Sequence, residues 1–233
     1  MIIFRTGKSI MLRLLVIFAL LQLGAISGIC QEKVSKNHIS IFLDFENVPV
    51  GSLPEGWKAE ATWQFGPIAK WAIIKDRTAP SGEKVLSITK LGFVVDSKFN
   101  LCWTDKIPIQ DGTIEVMFKP ISGKLDQGGG IMWRVQDRNN YYVVRFNPLE
   151  DNFRIYYVKD GRRVLINSAN VSLKAGKWHS MKIVQEGERY QCYLDGKKYL
   201  EGRDTHFRKT GGVGLWTKSD AITSFDNFRV VSK

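Results

Sequence analysis

Three consecutive apolar-rich runs, at residues 129–136, 141–147 and 153–159, carry large polar side chains in alternate positions. If Ile131, Trp133 and Val135 point into a core, then Met132, Arg134 and Gln136 point out; if Tyr142, Val144 and Phe146 point in, then Tyr141, Arg145 and Asn147 point out. The third run places Phe153, Ile155 and Tyr157 inside and Arg154 and Tyr156 outside. One face then gathers three guanidinium groups, two phenols, Gln136 and Asn147. Planar donors and acceptors of this kind suit sugar hydroxyls, and aromatic rings suit the apolar side of a pyranose. An ordinary solvated face is the other reading, although side chains this multidentate are an unusual choice where Lys, Thr or Ser would serve. Arg134 and Arg145 on neighbouring strands repel, and the three runs offer no acid of matching parity. A ligand bearing hydroxyls or a carboxylate is therefore expected between them.

Other chemistry is thinly represented. Asp44 and Glu46 near the start and Asp226 near the end are hard oxygen ligands suited to calcium, in a structural site where the two ends of a β-sandwich meet. Asp226 shares parity with Phe228 and Val230 and so points inward, where hydrogen bonds from backbone or a neighbouring Lys would serve it as well. No Glu-x-Asp-x-x-Glu run projects an acid and a nucleophile from one strand. Neither a Gly-x-Ser-x-Gly elbow nor a His-Glu-x-x-His helix is present. Glu150-Asp151 beside Pro148 reads as a turn, and His179 after Trp178 reads as a capping or packing residue. No catalytic residue is assigned.

The elements that must position these side chains are strands. After residue 38 no twelve-residue stretch holds a 3.6-residue apolar period, whereas short β-branched and aromatic runs recur about every ten residues. About fifteen strands are expected, with Asp160-Gly161 and Asp195-Gly196 as tight hairpin turns whose central residues both need positive φ. The 12% aromatic content and twenty-one glycines agree with an all-β chain: a two-sheet antiparallel jelly-roll sandwich. Gly128-Gly129-Gly130 reads as a bulge or a close backbone approach. Residues 1–31 contain no acid, carry Arg5, Lys8 and Arg13, and run apolar from Leu14 to Leu21 before small residues. This is a secretory signal, leaving a single domain over residues 32–233 and a secreted or periplasmic protein without a transmembrane anchor after processing. Cys30 leaves lipidation open. Removing three bases lowers the net charge from +11 to +8, still basic. For an exported chain this suggests acidic polysaccharide or an anionic cell surface rather than nucleic acid. Cys102 and Cys192 either pair or remain buried thiols.

The segments Gly130-Ile131-Met132-Trp133-Arg134-Val135-Gln136-Asp137, Asn139-Asn140-Tyr141-Tyr142-Val143-Val144-Arg145, Ala175-Gly176-Lys177-Trp178-His179, Tyr193-Leu194-Asp195-Gly196-Lys197, Gly212-Val213-Gly214-Leu215-Trp216 and Phe225-Asp226-Asn227-Phe228-Arg229-Val230 carry a resemblance. Their order resembles the laminin-G-like branch of the concanavalin A-like lectin/glucanase superfamily, and within it the bacterial 3-keto-disaccharide hydrolase-type domain. The resemblance implies a jelly roll and a glycan ligand, and it leaves activity open because that superfamily includes lectins, glycosidases and adhesion modules. The expected function is binding of an oligo- or polysaccharide, acidic ones included. The alternatives are a hydrolase or lyase acting on a keto-disaccharide or other glycan, and a structural or adhesion module.

Overall fold

A computed structural model describes residues 40–233; the expected signal segment, with Cys30, lies outside the described residues. The chain runs through β1 (Ser40–Leu43), β2 (Lys58–Ala61), β3 (Lys70–Lys75), β4 (Lys84–Lys90) and β5 (Phe99–Ile109). It continues through β6 (Gly112–Ser122), β7 (Gly129–Asp137), β8 (Asn140–Asn147), β9 (Asn152–Lys159) and β10 (Arg162–Asn170). The last elements are β11 (His179–Glu186), β12 (Arg189–Leu194), β13 (Lys197–Arg203), β14 (Gly211–Lys218) and β15 (Ile222–Ser232). Among the described residues there is no helix, and hence none long and apolar enough to cross a membrane.

An eight-stranded sheet has the order β13-β12-β11-β6-β15-β4-β3, with β1 also paired to β15. A seven-stranded sheet has the order β10-β9-β8-β7-β14-β5-β2. All ladders are antiparallel, and the first and last strands pair as Ser40↔Val231 to Leu43↔Phe228. Ile131, Trp133, Tyr142, Val144, Phe146, Phe153 and Ile155 meet Val116, Phe118, Met181, Phe225 and Phe228 of the other sheet in the main core. Both Asp-Gly turns adopt the expected pair of positive φ values, 49° and 76° at Asp160-Gly161, 46° and 76° at Asp195-Gly196. Cys102 and Cys192 are free and buried in different sheets, and burial pushes both thiols up.

The seven-stranded sheet is apolar on its other face too. Phe99, Leu101, Trp103, Met132, Tyr141, Val143, Tyr156 and Trp216, which alternate with the core residues, form a second buried cluster. The sheet therefore buries apolar side chains on both faces, which strict inside-outside alternation did not anticipate.

A bulge corrects the reading of β7. Met132 faces Gly214 and Val135 faces Gly212, so two residues, Trp133 and Arg134, stand against Val213 alone. Arg134 takes φ 47°, and Val135 turns to the second cluster instead of the core. Arg134 is 1% exposed rather than displayed on an open face. Its guanidinium donates to the carbonyls of Gln110 (2.8 Å), Phe207 (2.6 Å) and Gly187 (2.6 Å) and pairs with Asp111 at 3.2 Å. Left-handed backbone at a side-chain-bearing residue costs about 1–2 kcal/mol, and hydrogen bonds from a charged donor contribute about 1.5–3 kcal/mol each. The contacts win, and Arg134 ties three inter-strand connections to the edge of the bulge.

Replacing Arg134 by Ala should lower unfolding free energy by about 3–5 kcal/mol, the range for breaking a buried charged pair, as read by urea denaturation. A change within about 0.5 kcal/mol would contradict this structural role.

Candidate functional site

The remaining sequence-predicted residues gather on the outer face of the seven-stranded sheet, but mostly beneath its surface. Tyr141 is buried, with its hydroxyl 2.8 Å from Thr62 Oγ1 and accepting from Trp216 Nε1 at 3.2 Å. Burial raises its phenol well above the ordinary value. Gln136 is exposed at the end of β7 and donates to the carbonyls of Arg134 and Thr210.

Arg145 lies directly opposite Arg154 in the β8–β9 ladder, a like-charge pairing that destabilises a sheet unless an acid intervenes. Glu150 is that acid, which corrects the expectation that none is in reach. From the hairpin between the two strands its Oε2 accepts from Arg145 at 2.8 Å and Arg154 at 3.4 Å. Burial opposes its charge, but hydrogen bonds from Asn152 and Arg145 and the charges of both arginines win and hold the carboxyl at about 2. Arg145 also bonds Asn152 and reaches the Tyr156 hydroxyl at 3.3 Å. Its Nε and the Asn147 Nδ2 are buried without a partner.

The centre of the site is a residue that alternation on three strands missed. The tight Asp160-Gly161 turn fixes Arg163 opposite Val158, on the face that carries Tyr156 and Leu165. Extending the register through that turn would have found it. The Arg163 guanidinium lies 4.5 Å from the Tyr156 ring, 5.0 Å from Phe99 and 5.7 Å from Trp216. It forms no ion pair or side-chain hydrogen bond among the described residues, and Nη1 is buried without a partner. Each cation–ring contact is worth about 0.5–2 kcal/mol, while an unmet buried donor forfeits about 1–3 kcal/mol. The rings hold the cation without satisfying its hydrogen-bonding capacity.

Arg163 borders a cleft of 280 Å³ together with Trp63, Asp96, Ser97, Phe99, Gly161 and Lys218. Trp63 is 52% exposed and fixed by its indole N–H on the Gly161 carbonyl at 2.9 Å. Any Cβ at Gly161 would sit 2.3 Å from that indole nitrogen, so glycine is required for the approach as well as for the turn. Lys218 Nζ lies 2.5 Å from Asp96 and 3.6 Å from Asp126 Oδ2, an oxygen buried without a hydrogen-bond partner. Burial raises the Asp126 carboxyl to about 6, outweighing the pull of Arg145 and Lys218. Asp126 comes from the β6–β7 connection and Lys218 from the end of β14, so no local pattern marks them as neighbours.

Asp44, Glu46 and Asp226 come close enough for their charges to interact, as pairing of the end strands requires. Backbone amides occupy them. Asp226 accepts from the N–H groups of Ser81 and Asn227, Glu46 from Glu83 and Lys84, and Asp44 from Glu46. Among the described residues no group of three His, Cys, Asp or Glu is arranged to hold a metal ion. The donor set thus fits amide binding better than the calcium expected from the sequence. His179 contacts Asp195 at 2.8 Å and the Lys174 carbonyl at 3.0 Å, a packing role.

The family model described as 3-keto-alpha-glucoside-1,2-lyase-like domain matches residues 44–231. Among solved structures, the carbohydrate-binding module CBM66 from Bacillus subtilis is similar at 21% identity and TM-score 0.59, over 79% of this chain and 100% of that one. A Bacillus licheniformis β-glucanase is similar at 13% identity and TM-score 0.56, over 83% of this chain and 98% of that one. Domain 4 of the extracellular GH43 arabinanase AbnA from Geobacillus stearothermophilus, solved with arabinotriose, is similar at 10% identity and TM-score 0.53, over 82% and 90%. A search of the curated proteins returns no match. At these identities the structural likenesses establish the two-sheet jelly-roll fold.

The two perturbed carboxyls leave opposite signatures in stability. Folding raises Asp126 from 3.8 to about 6, so the folded chain binds its proton more tightly and this group's contribution falls as pH rises from about 4 through 6. Glu150 is lowered from 4.5 to about 2, so its contribution is present above pH 4.5 and is lost as pH falls toward 2. Thermal melts across pH 2–7 should show the first slope reduced in Asp126→Asn, with Asp226, also raised to about 6, keeping the rest, and the second reduced in Glu150→Gln. Profiles parallel to the wild type in both variants would contradict these assignments.

Proposed function

We infer that this chain, which belongs to the 3-keto-alpha-glucoside-1,2-lyase-like domain family, binds a carbohydrate in the cleft beside Arg163. The observation that carries the reading is a guanidinium caged by three rings, with a buried donor unmet, at the mouth of a cleft rimmed by an exposed tryptophan. Trp63 offers an apolar face to a sugar ring, and Arg163 offers planar donors to its oxygens. Among the described residues Arg145 and Arg154 of this face pair with Glu150, and Lys218 with Asp96 and Asp126, whereas Arg163 at the cleft has no carboxylate partner and can take an anion. The preferred ligand is an oligo- or polysaccharide bearing a carboxylate or comparable acidic group. Its encounter fits an exported, basic protein, a localisation supported by the acid-free, apolar leader pattern.

Turnover is a second reading, favoured by Asp126. The 1,2-elimination of a 3-keto-glucoside removes the C2 proton, acidified by the adjacent ketone, while the C1–oxygen bond breaks and the departing alkoxide takes up a proton. Burial raises the Asp126 carboxyl to about 6, in the range a base for such a step needs; Asp126 is itself buried and does not line the cleft, so it would act there only through Lys218.

Calorimetric titration against acidic and neutral oligosaccharides tests binding. Arg163→Ala should weaken acidic ligands by about 1.5–3 kcal/mol with the fold retained, since loss of the three ring contacts is offset by removal of an unmet buried donor. Equal affinity of wild type and variant, or no saccharide bound by the wild type, would defeat the reading. Incubation with a 3-keto-glucoside, monitoring release of the leaving group, tests turnover; release that survives Asp126→Asn unchanged would remove Asp126 from it.

A further inference from the structure

A second cleft opens on the same outer face. It has a volume of 470 Å³ and is lined by Lys58, Glu60, Trp103, Gln136, Arg138 and Asn139, among others. Trp103 belongs to the same buried cluster as Phe99, which borders the Arg163 cleft. The two spaces meet at one contact. Asn139 Oδ1 accepts from the Trp63 backbone N–H at 3.1 Å, Thr62 Oγ1 donates to the Arg138 carbonyl at 2.8 Å, and Gly161 N–H donates to the Asn139 carbonyl at 2.9 Å. Asn139 lines the second cleft and Trp63 and Gly161 line the first. These hydrogen bonds form the rim that separates the two clefts, and the half-exposed Trp63 indole stands beside it.

The clefts differ in charge. Beside Arg163 a cation waits for a partner, whereas in the second cleft Lys58 pairs with Asp105 at 3.2 Å and Arg138 stands 4.0 Å from Glu60. Lys58 also caps the Trp103 ring at 3.9 Å. Asp137, also in the lining, has no basic partner among the described residues and accepts from the Asn139 N–H and the Asn140 amide, so the cleft does not attract a second acid; what it presents is a mixture of donors and acceptors, including the exposed Gln136 carboxamide. This chemistry matches the hydroxyls of uncharged sugar residues.

We propose that the two clefts are successive subsites for one glycan chain, with an acidic residue at Arg163, a sugar ring over Trp63 and neutral residues in the Gln136–Arg138 cleft. The ligand is therefore an oligosaccharide longer than a disaccharide. This rests on the carbohydrate reading above and adds chain length and direction to it. Gln136, expected from the sequence to contact ligand, lines the second cleft and would meet the chain there.

The test is calorimetric titration with two series of oligosaccharides of two to six residues, each carrying a single terminal glucuronate, one on a glucan chain and one on a xylan chain. Affinity should rise at least tenfold from dimer to hexamer in the series that binds. Arg138→Ala and Gln136→Ala, made separately, should bring the hexamer back toward dimer affinity and leave the dimer unchanged. Equal affinity for dimer and hexamer, or an equal loss for both lengths in these variants, overturns the two-subsite proposal while leaving the Arg163 site standing. Absence of binding by every member of both series overturns the carbohydrate reading and this inference with it.

Discussion

Burial of the seven-stranded sheet on both faces is the constraint from which the rest of the site follows. One face meets the other sheet through Trp133, Tyr142 and Phe146, and the opposite face is closed by Trp103, Tyr141, Tyr156 and Trp216. A charge on that second face has little water to turn to, and an unpaired ion in such a place is strongly disfavoured. Every arginine, lysine and carboxylate there must find a protein partner or be held for something that arrives from outside.

The protein answers this demand differently for each charge. Arg145 and Arg154, forced opposite one another by register, share Glu150 from the hairpin that joins their strands. Lys218 lies between Asp96 and Asp126. Arg163 is held by rings alone. Ring contact stabilises a cation but supplies no acceptor for its N–H groups, so the guanidinium keeps directional hydrogen bonds in reserve. An arrangement optimised for stability alone would give Arg163 a carboxylate or replace it with a hydrocarbon side chain. Its persistence beside an open cleft is best explained by a ligand that completes the set.

Much of the fold was legible because alternation and turn chemistry are local. Asp160-Gly161 and Asp195-Gly196 announced their hairpins, and Tyr142, Val144, Phe146, Phe153 and Ile155 all face the core as parity requires. The site was less legible for two physical reasons. At Arg134 a bulge moved one residue out of register and delivered the guanidinium to three backbone carbonyls, something a strict period of two cannot foresee. Elsewhere the faces were assigned correctly but outward was equated with exposed, so Tyr141 and Arg145 were expected at a surface they underlie. Asp126 and Lys218 meet only through tertiary packing. Arg163 was within reach of sequence reasoning, since the Asp160-Gly161 turn sets its register against Val158.

The most direct test is a crystal structure of the protein with a bound acidic oligosaccharide. The account predicts an anionic oxygen of the sugar within hydrogen-bonding distance of the Arg163 guanidinium, with a pyranose ring against Trp63. A sugar bound on the eight-stranded sheet, or Arg163 left without a contact to the ligand while the glycan binds elsewhere, would contradict it.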